Sequence, residues 1–297
     1  MQKISVIVPC YNMVSYIEQT LKSIISQNYN NLELIIVDGG SSDGTIDILN
    51  RYKENFTHYI SEPDHGQYDA ITKGFSLASG EILCWLNADD YFFPWTLISV
   101  ARLFNENKKI DWIRGIPAFM DEDGCLTNIY NNISSAPQKF IKNGWFSEDL
   151  FGFLQQESMF WKRSLWEKVN GLNLKYTLAA DFELWTRFAE NSELVSFGLP
   201  LAAFRKRSDS RSAMQKQYYL DEVTQICSSK HKYNYLIRIF AKYSNYTNFI
   251  TRLITWRKVP IYYYSVKMKK WIFQYRIRPV SNISLTQLLL ENSINTK

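Results

Sequence analysis

The sequence predicts an α/β protein: a mostly parallel central sheet flanked by helices, followed by a basic helical C-terminal region. Three observations carry that prediction. Short apolar runs alternate with helical patterns through roughly the first hundred residues, each run ends in a polar cluster, and charge divides the chain near Phe204. Strands that are apolar on both faces and separated by helices imply right-handed crossovers and parallel pairing. Ligands of such sheets bind beyond the carboxyl ends of the strands, which is where the polar clusters fall.

Taken in order, "KISVIVPCYN" reads as a buried strand running into a loop. "VSYIEQTLKSIISQ" then places Ile17, Leu21, Ile24 and Ile25 at helical spacing. "LELIIVDGG" is a second strand, and "DGTIDILNRYKEN" a helix opened by an Asp/Gly/Thr cap. "FTHYISE" and "EILCWLNADD" supply two further strands, with the helical "YDAITKGFSLAS" between them. The pattern weakens from about Asp111 to Trp145, where Gly, Asn and Ser point to loops and short strands. "RSLWEKVNGL" reads as a helix ending at Gly171, and "AADFELWTRFAEN" as a strongly amphipathic one.

The 297 residues suffice for one large α/β domain with an appendage. Expected boundaries are 1–210 for the main domain, divided near 110 into two halves, and 211–297 for the basic region. The four cysteines are scattered without a CxxC pair, so buried thiols are expected rather than a disulfide framework. The N-terminal apolar run stops at Pro9, too brief for a secretory signal, and no run of about 18 apolar residues exists. A cytoplasmic chain is the expectation. Residues 1–204 carry 16 Lys+Arg against 25 Asp+Glu, a net of −9; residues 205–297 carry 18 against 4, a net of +14. Two regions of opposite character therefore meet near Phe204.

Four stretches could carry chemistry. "VDGGSSDGT" (Val37 to Thr45) offers backbone N–H groups at a helix start, a geometry that can cradle phosphate. Asp38 and Asp43 would repel one, so acceptance from a base N–H or ribose hydroxyls fits them better; a purely structural turn is the alternative. "NADD" (Asn87 to Asp90) is a hard-oxygen cluster suited to Mg²⁺ or Mn²⁺, which take one or two carboxylates plus substrate phosphates. Its bland reading is a capped turn. With three histidines in the chain, a His-rich zinc site is not expected. Asp181 sits in the first turn of an amphipathic helix, either as a dipole-favoured carboxylate or as a general base. "FLQQESMFW" sets Gln155, Gln156 and Glu157 in an aromatic run, where buried polar groups need partners that a polyhydroxylated ligand would provide.

Together, "SVIVPCYN", "VDGGSSDGT", "SEPDHGQYDAITKG", "ASGEILCWLNADD", "QQESMFWKRSLWEKVNGL" and "AADFELWTRF" resemble the family 2 glycosyltransferases of the GT-A fold. The resemblance covers about the first two hundred residues and implies a Rossmann-like nucleotide-binding half followed by an acceptor-side half. It further implies an inverting enzyme that moves a sugar from a nucleotide-diphosphate donor, UDP first among them, to an acceptor hydroxyl. On that likeness Pro9, Tyr11, Asn12, Asp38, Asp69, Asn87, Ala88 and Arg205 face the nucleotide or donor. Gln156 and Glu157 face the sugar or acceptor, Asp89 with Asp90 holds a divalent cation (Mn²⁺ or Mg²⁺), and Asp181 is the catalytic base.

The chain departs from the family pattern where Asn87 replaces the usual first acid of the metal motif and Ala180 the acid often found before the base. Arg207 stands where many relatives carry a histidine that completes the metal shell, so Arg205 or Arg207 is positioned to neutralise diphosphate directly. A non-catalytic sugar-nucleotide or glycan-binding protein on the same fold is the rival reading. The last ninety or so residues interleave Lys/Arg with aromatics, a composition that suits an anionic membrane surface. Nucleic acid and a solvated basic subdomain are the alternatives. The membrane is preferred, with no nucleic acid partner, a glycan or lipid-linked acceptor, and a place on the inner face of the membrane in surface polysaccharide or lipopolysaccharide biosynthesis.

Overall fold

Seven consecutive buried residues, Ile4–Cys10, form strand β1 at the heart of the main sheet. In the computed structural model, residues 1–130, 136–147, 152–228 and 256–279 are described. β1 pairs in parallel with β2 (Leu32–Asp38) and β4 (Ile82–Trp85), and β2 with β3 (His58–Ser61). The crossovers are α1 (Ile17–Ile25), α2 (Thr45–Arg51) and α3 (Gln67–Leu77). All four strands run the same way, so their polar ends share one edge of the sheet, as the sequence pattern requires.

Alternate β1 residues enter two different cores, the consequence of a two-residue side-chain period. Val6 and Val8 pack with Leu34 and Ile36, with Leu21 of α1, and with Leu97 and Val100 of α4 (Thr96–Glu106). Ile7 joins Ile35 and Val37 on the other face, against Ile71 and Phe75 of α3 and Leu184, Trp185 and Phe188 of α7 (Ala180–Asn191). Gly74 lets α3 approach that face: a Cβ there would sit 2.5 Å from Ile7 Cγ2. Trp85, Trp161 and Trp185 fill the space beneath α7, with the Trp85 and Trp185 rings stacked at 5.9 Å. Burying each large side chain contributes about 1.5–3 kcal/mol, so this layer fixes α7, and Asp181 with it, on the sheet.

The second half adds β6 (Trp112–Arg114), β9 (Met159–Lys162) and β10 (Val195–Phe197) to the main sheet. β9 enters between β4 and β6, antiparallel to both. A smaller sheet runs β5 (Tyr91–Phe92), β11 (Ala202–Arg205), β7 (Ala118–Met120), β8 (Leu126–Ile129). Short helices α5 (Gln138–Lys142) and α6 (Arg163–Lys168) complete this half, and Gly171 with φ +64° follows α6 at the expected stop. The expected loops and short strands are observed from Asp111 to Tyr130, whereas helix α5 was not expected before Trp145.

Among the described residues of the basic region, helix is found in α8 (Arg211–Met214) and α9 (Lys216–Ser228). Beyond it, β12 (Trp256–Ser265) and β13 (Lys270–Pro279) form a hairpin instead of helix. The reason lies in "VPIYYYS" and "WIFQYRI", where β-branched and aromatic residues favour a pleated surface over a helix. β12 pairs in parallel with β10, giving nine strands in the order β13-β12-β10-β6-β9-β4-β1-β2-β3. Tyr262 anchors the hairpin, stacking on Trp271 at 5.2 Å and donating to Glu106 of α4 at 2.6 Å. Part of the region expected beyond residue 210 therefore extends the central sheet. Residues 229–255 and 280–297 of the basic tail lie outside the described residues.

Candidate active site

At the polar edge, the loop after β1 is clasped to the loop after β2. Asn12, in the left-handed region at φ +52°, accepts from Ser42 N at 2.9 Å and donates its own N–H to Ser41 Oγ at 2.8 Å. Met13 N donates to Thr45 Oγ1 at 2.8 Å, and Val14 N to Asp43 at 3.0 Å. Pro9 is buried at the end of β1, while Tyr11 projects with 59% of its surface exposed. Asp38 is fully buried and accepts from Gly40 N, Ser41 N, Ser41 Oγ and Ser61 Oγ. Those four donors occupy its carboxylate, so Asp38, expected to meet a base directly, shapes the turn that a nucleotide would lie on.

Asp69 stands in the first turn of α3, accepts from His65 N at 3.1 Å and pairs with Lys73 at 3.4 Å. The backbone donor and the lysine hold its carboxyl below the usual range. Two residues earlier, Gln67 donates to Asn87 at 2.6 Å, tying α3 to the end of β4.

The "NADD" turn is held from both sides. Ala88 and Asp90 offer their carbonyls to Thr20 Oγ1 of α1. Asp90, expected as a second metal ligand, faces inward: Oδ1 accepts from Arg205 N at 2.9 Å and Oδ2 from Asn87 at 3.0 Å. Burial, and then the nearby Asp89 and Glu157 carboxylates, push its carboxyl well above the ordinary value. Arg205, expected to face the donor, is 1% exposed and bonds the carbonyls of Asp89, Asp121 and Glu122 and the side chain of Gln19. It knits β4, α1 and the turn after β7 together. The cation that meets the Asp89 carboxylate is instead Arg207, at 2.9 Å.

Across the sheet edge, a 3-10 turn at Gln156–Ser158 precedes β9. Gln156 donates to Trp85 O at 2.8 Å, yet its Oε1, the Oε1 of Gln155 and the Oε1 of Glu157 are buried without hydrogen-bond partners. Such orphans are costly in a finished core and mark places where a ligand's donors complete the bonding. Burial, reinforced by the neighbouring Asp181 and Asp89 carboxylates, lifts Glu157 to about 8. Glu157 therefore lies within electrostatic reach of both carboxylates.

Asp181 opens α7 and accepts from Tyr68 Oη at 3.1 Å and Phe182 N at 2.8 Å. Burial raises its carboxyl to about 6 against the pull of those two donors. A carboxylate so tuned is ionised at neutral pH and still basic enough to take a proton. Glu222 of α9 secures the segment before α7 by accepting from the backbone N–H groups of Thr177, Leu178 and Ala179 at 2.8–2.9 Å. A cleft of about 680 Å³ opens beside that segment, lined by Thr177, Leu178, Tyr218, Asp221 and Glu222. Sequence reasoning missed Tyr68 and Glu222. A signal existed for Glu222, one of four acids among the last 93 residues, where a lone acid in a basic segment invites a specific partner.

The divalent cation implied by resemblance finds few ligands here. Both Asp90 oxygens are engaged inside the fold, and Asp89 already holds a guanidinium. Among the described residues no three His, Cys, Asp or Glu side chains converge into a metal cage of protein ligands alone. Of the two acids in the turn, Asp89 alone could join substrate phosphates around a divalent ion, and Arg207 already pairs with it.

Comparison with known proteins agrees with this architecture. The model of the glycosyl transferase family 2 matches residues 5–167, more than half the chain. A PGL/p-HBAD biosynthesis glycosyltransferase of Mycobacterium bovis (strain BCG / Pasteur 1173P2) is 29% identical over 198 residues, 65% of this chain and 72% of its own. An uncharacterized glycosyltransferase of Nostoc sp. is 28% identical over 60% of this chain and 57% of its own. Among solved structures, S. aureus TarS 1-349 in complex with UDP-GlcNAc superposes with a TM-score of 0.59 at 19% identity, covering 77% of this chain and 66% of that one. The Pyrobaculum calidifontis mannosyltransferase PcManGT, solved with GDP-Man and Mn²⁺, gives 0.57 at 18% identity over 81% of this chain and 69% of that one. The likeness to these structures establishes the fold, and the family match establishes the kinship: this chain is a GT-A-fold glycosyltransferase belonging to family 2.

Proposed function

We propose that the chain is an inverting hexosyltransferase that uses a nucleotide-diphosphate sugar, UDP-linked first among the candidates, to glycosylate a hydroxyl of a glycan or lipid-linked acceptor. The observation that carries this reading is Asp181, a buried carboxylate at the head of α7, held by Tyr68 Oη and Phe182 N and lifted to about 6. As the acceptor oxygen bonds to the anomeric carbon, its proton passes to the Asp181 carboxylate. The bond from that carbon to the diphosphate oxygen breaks with its electron pair, so one displacement inverts the centre. A two-step retaining route would need a covalent nucleophile. Pro9, Tyr11, Asn12 and the turn organised by Asp38 form the nucleotide side, with Asp69, Asn87 and Ala88 bordering it. The orphaned oxygens of Gln156 and Glu157 accept from sugar hydroxyls. UDP is supported by the TarS complex, GDP by the PcManGT one. A non-catalytic binder would not need a carboxylate tuned in this way.

The acceptor's setting follows from the hairpin. Its tip exposes Val266 (81%) and Met268 (55%) between Lys267, Lys269 and Lys270. Apolar side chains flanked by lysines suit the headgroup layer of an anionic bilayer. No helix among the described residues is long and apolar enough to cross a membrane. This reading places the enzyme on the cytoplasmic face, where lipopolysaccharide or other surface polysaccharide precursors are assembled. The full chain is expected to co-sediment with phosphatidylglycerol vesicles and not with phosphatidylcholine ones; a double V266D/M268D variant weakens that binding about tenfold. Equal binding of both proteins refutes the hairpin's role.

The donor assignment is tested by incubating the chain with UDP-, GDP- and dTDP-sugars and following nucleotide release. One nucleotide class should be released by the native chain and by Asp181→Asn at least about a hundredfold more slowly. Nucleotide binding with no release from any donor sugar, with and without candidate acceptors, would favour the binder.

A further inference from the structure

We propose that Arg207 is the built-in cation of the donor site, holding Asp89 where a metal would otherwise sit and meeting the donor's diphosphate itself, so that the nucleotide binds without a divalent ion. The inference rests on the nucleotide-diphosphate donor reading above and adds to it how the diphosphate charge is met.

The geometry of Arg207 is that of a fixed residue. Its NH1 lies 2.9 Å from Asp89 Oδ2 and 3.2 Å from Met13 Sδ, and its Nε lies 2.8 Å from Asp209 Oδ1. The guanidinium also covers the Tyr16 ring at 4.6 Å, while Arg205 covers the same ring at 4.9 Å. Cation–π contact and ion pairing together set the plane of the fork. Met13 belongs to the loop after β1 that carries Tyr11 and Asn12. Arg207 thus bridges the end of β4 to the nucleotide side, the place where a donor diphosphate must lie if the sugar is to reach Asp181. With NH1 on Asp89 and Nε on Asp209, NH2 is left to give a phosphate oxygen one charge-assisted hydrogen bond.

The charges agree. Asp209 is 68% exposed at its side chain and largely screened by water. Arg205 and Arg207 both lie over the Tyr16 ring beside Asp89, so two guanidinium charges stand at the turn. Arg207 can therefore offset diphosphate charge and donate a hydrogen bond to the charge that develops as the sugar leaves.

The test is calorimetric titration of the full chain with UDP, GDP and dTDP, in EDTA and in Mn²⁺, with Mn²⁺ paramagnetic resonance as a second readout. For the nucleotide that binds, the wild-type dissociation constant is expected to change less than about threefold between the two conditions, with no Mn²⁺ taken up. Arg207→Ala should bind at least about tenfold more weakly in EDTA and recover in Mn²⁺, because Asp89 is then open to the ion. Wild-type binding that falls tenfold or more in EDTA, or Mn²⁺ captured with the nucleotide, overturns the inference and leaves the donor reading standing; these wild-type arms need no variant to fold. Failure of all three nucleotides to bind in either condition overturns both.

Discussion

Replacing Tyr68 by Phe removes one oxygen and alters the base without touching it. Tyr68 Oη has a single proton, shared between Leu178 O at 2.9 Å and Asp181 Oδ1 at 3.1 Å. A hydrogen bond to a charged group contributes about 1.5–3 kcal/mol, and sharing places this one at the low end, about 1–1.5 kcal/mol. Since 1.36 kcal/mol corresponds to one pKa unit, loss of the donor raises Asp181 by about one unit. Its starting point is about 6, set by burial against the pull of Phe182 N and Tyr68. Asp181 works as the ionised base, so activity falls as pH drops through its pKa. The acid limb of kcat/KM should then move from about 6 to about 7 in Tyr68→Phe. The variant loses about twofold at pH 7, about five- to sixfold at pH 6, and almost nothing above pH 8. A pH profile of both proteins with one donor and acceptor pair measures this. An acid limb that stays in place, or a uniform loss at every pH, refutes the assignment of Asp181 as base and Tyr68 as its tuner.

Three further outcomes follow from other buried groups. Glu157, lifted by burial from 4.5 to about 8, keeps a proton that the unfolded chain releases, so it weakens the fold increasingly as pH rises between those values. Glu157→Gln should therefore raise the melting temperature at pH 8 and leave it nearly unchanged at pH 4.5; the reverse order in thermal scans contradicts the buried, protonated state. Glu33 shows the opposite case: burial opposes its charge, yet donors from Ser5 and Ser79 and the pairing with Lys3 hold it at about 2. It contributes about 2–3 kcal/mol above pH 4.5 that is lost as pH falls towards 2, so Glu33→Gln should flatten the acid limb of denaturant stability. Glu222→Ala removes the acceptor for three backbone N–H groups ahead of α7 and should cost about 2–3 kcal/mol, with hydrogen exchange rising at Thr177–Ala179; unchanged exchange there would exclude its capping role.

Legibility in the sequence followed the range of each interaction. Strands β1 to β4 and their crossovers were readable because each records its own burial in a local period, as Val6, Ile7 and Val8 do by entering two cores. Asp181 was readable because it heads an amphipathic helix, and Asp89 because it ends an apolar run. What pairs with them was not, since no local pattern encodes a partner 118 residues away such as Arg207 on Asp89, or 113 away such as Tyr68 on Asp181. The same limit explains Asp90 and Arg205, which looked like site groups from their neighbours in sequence. Register decides otherwise: Ala202 opposite Phe92 and Ala203 opposite Tyr91 bring Arg205 N onto Asp90 and turn both inward. The hairpin of β12 and β13 was hidden for a different reason. Its lysines, arginines and aromatics match the composition of an amphipathic helix, and only the β-branched and aromatic run from Val259 to Tyr264 pointed the other way.

The account's central claim is single displacement at the anomeric carbon with Asp181 as the base. Proton NMR of the first product formed from an α-linked nucleotide sugar tests it most directly, read beside Asp181→Asn. A β-anomeric product from the native chain, formed at least about a hundredfold more slowly by the variant, is the expected result. An α-anomeric product, or an undiminished rate from Asp181→Asn, would contradict it.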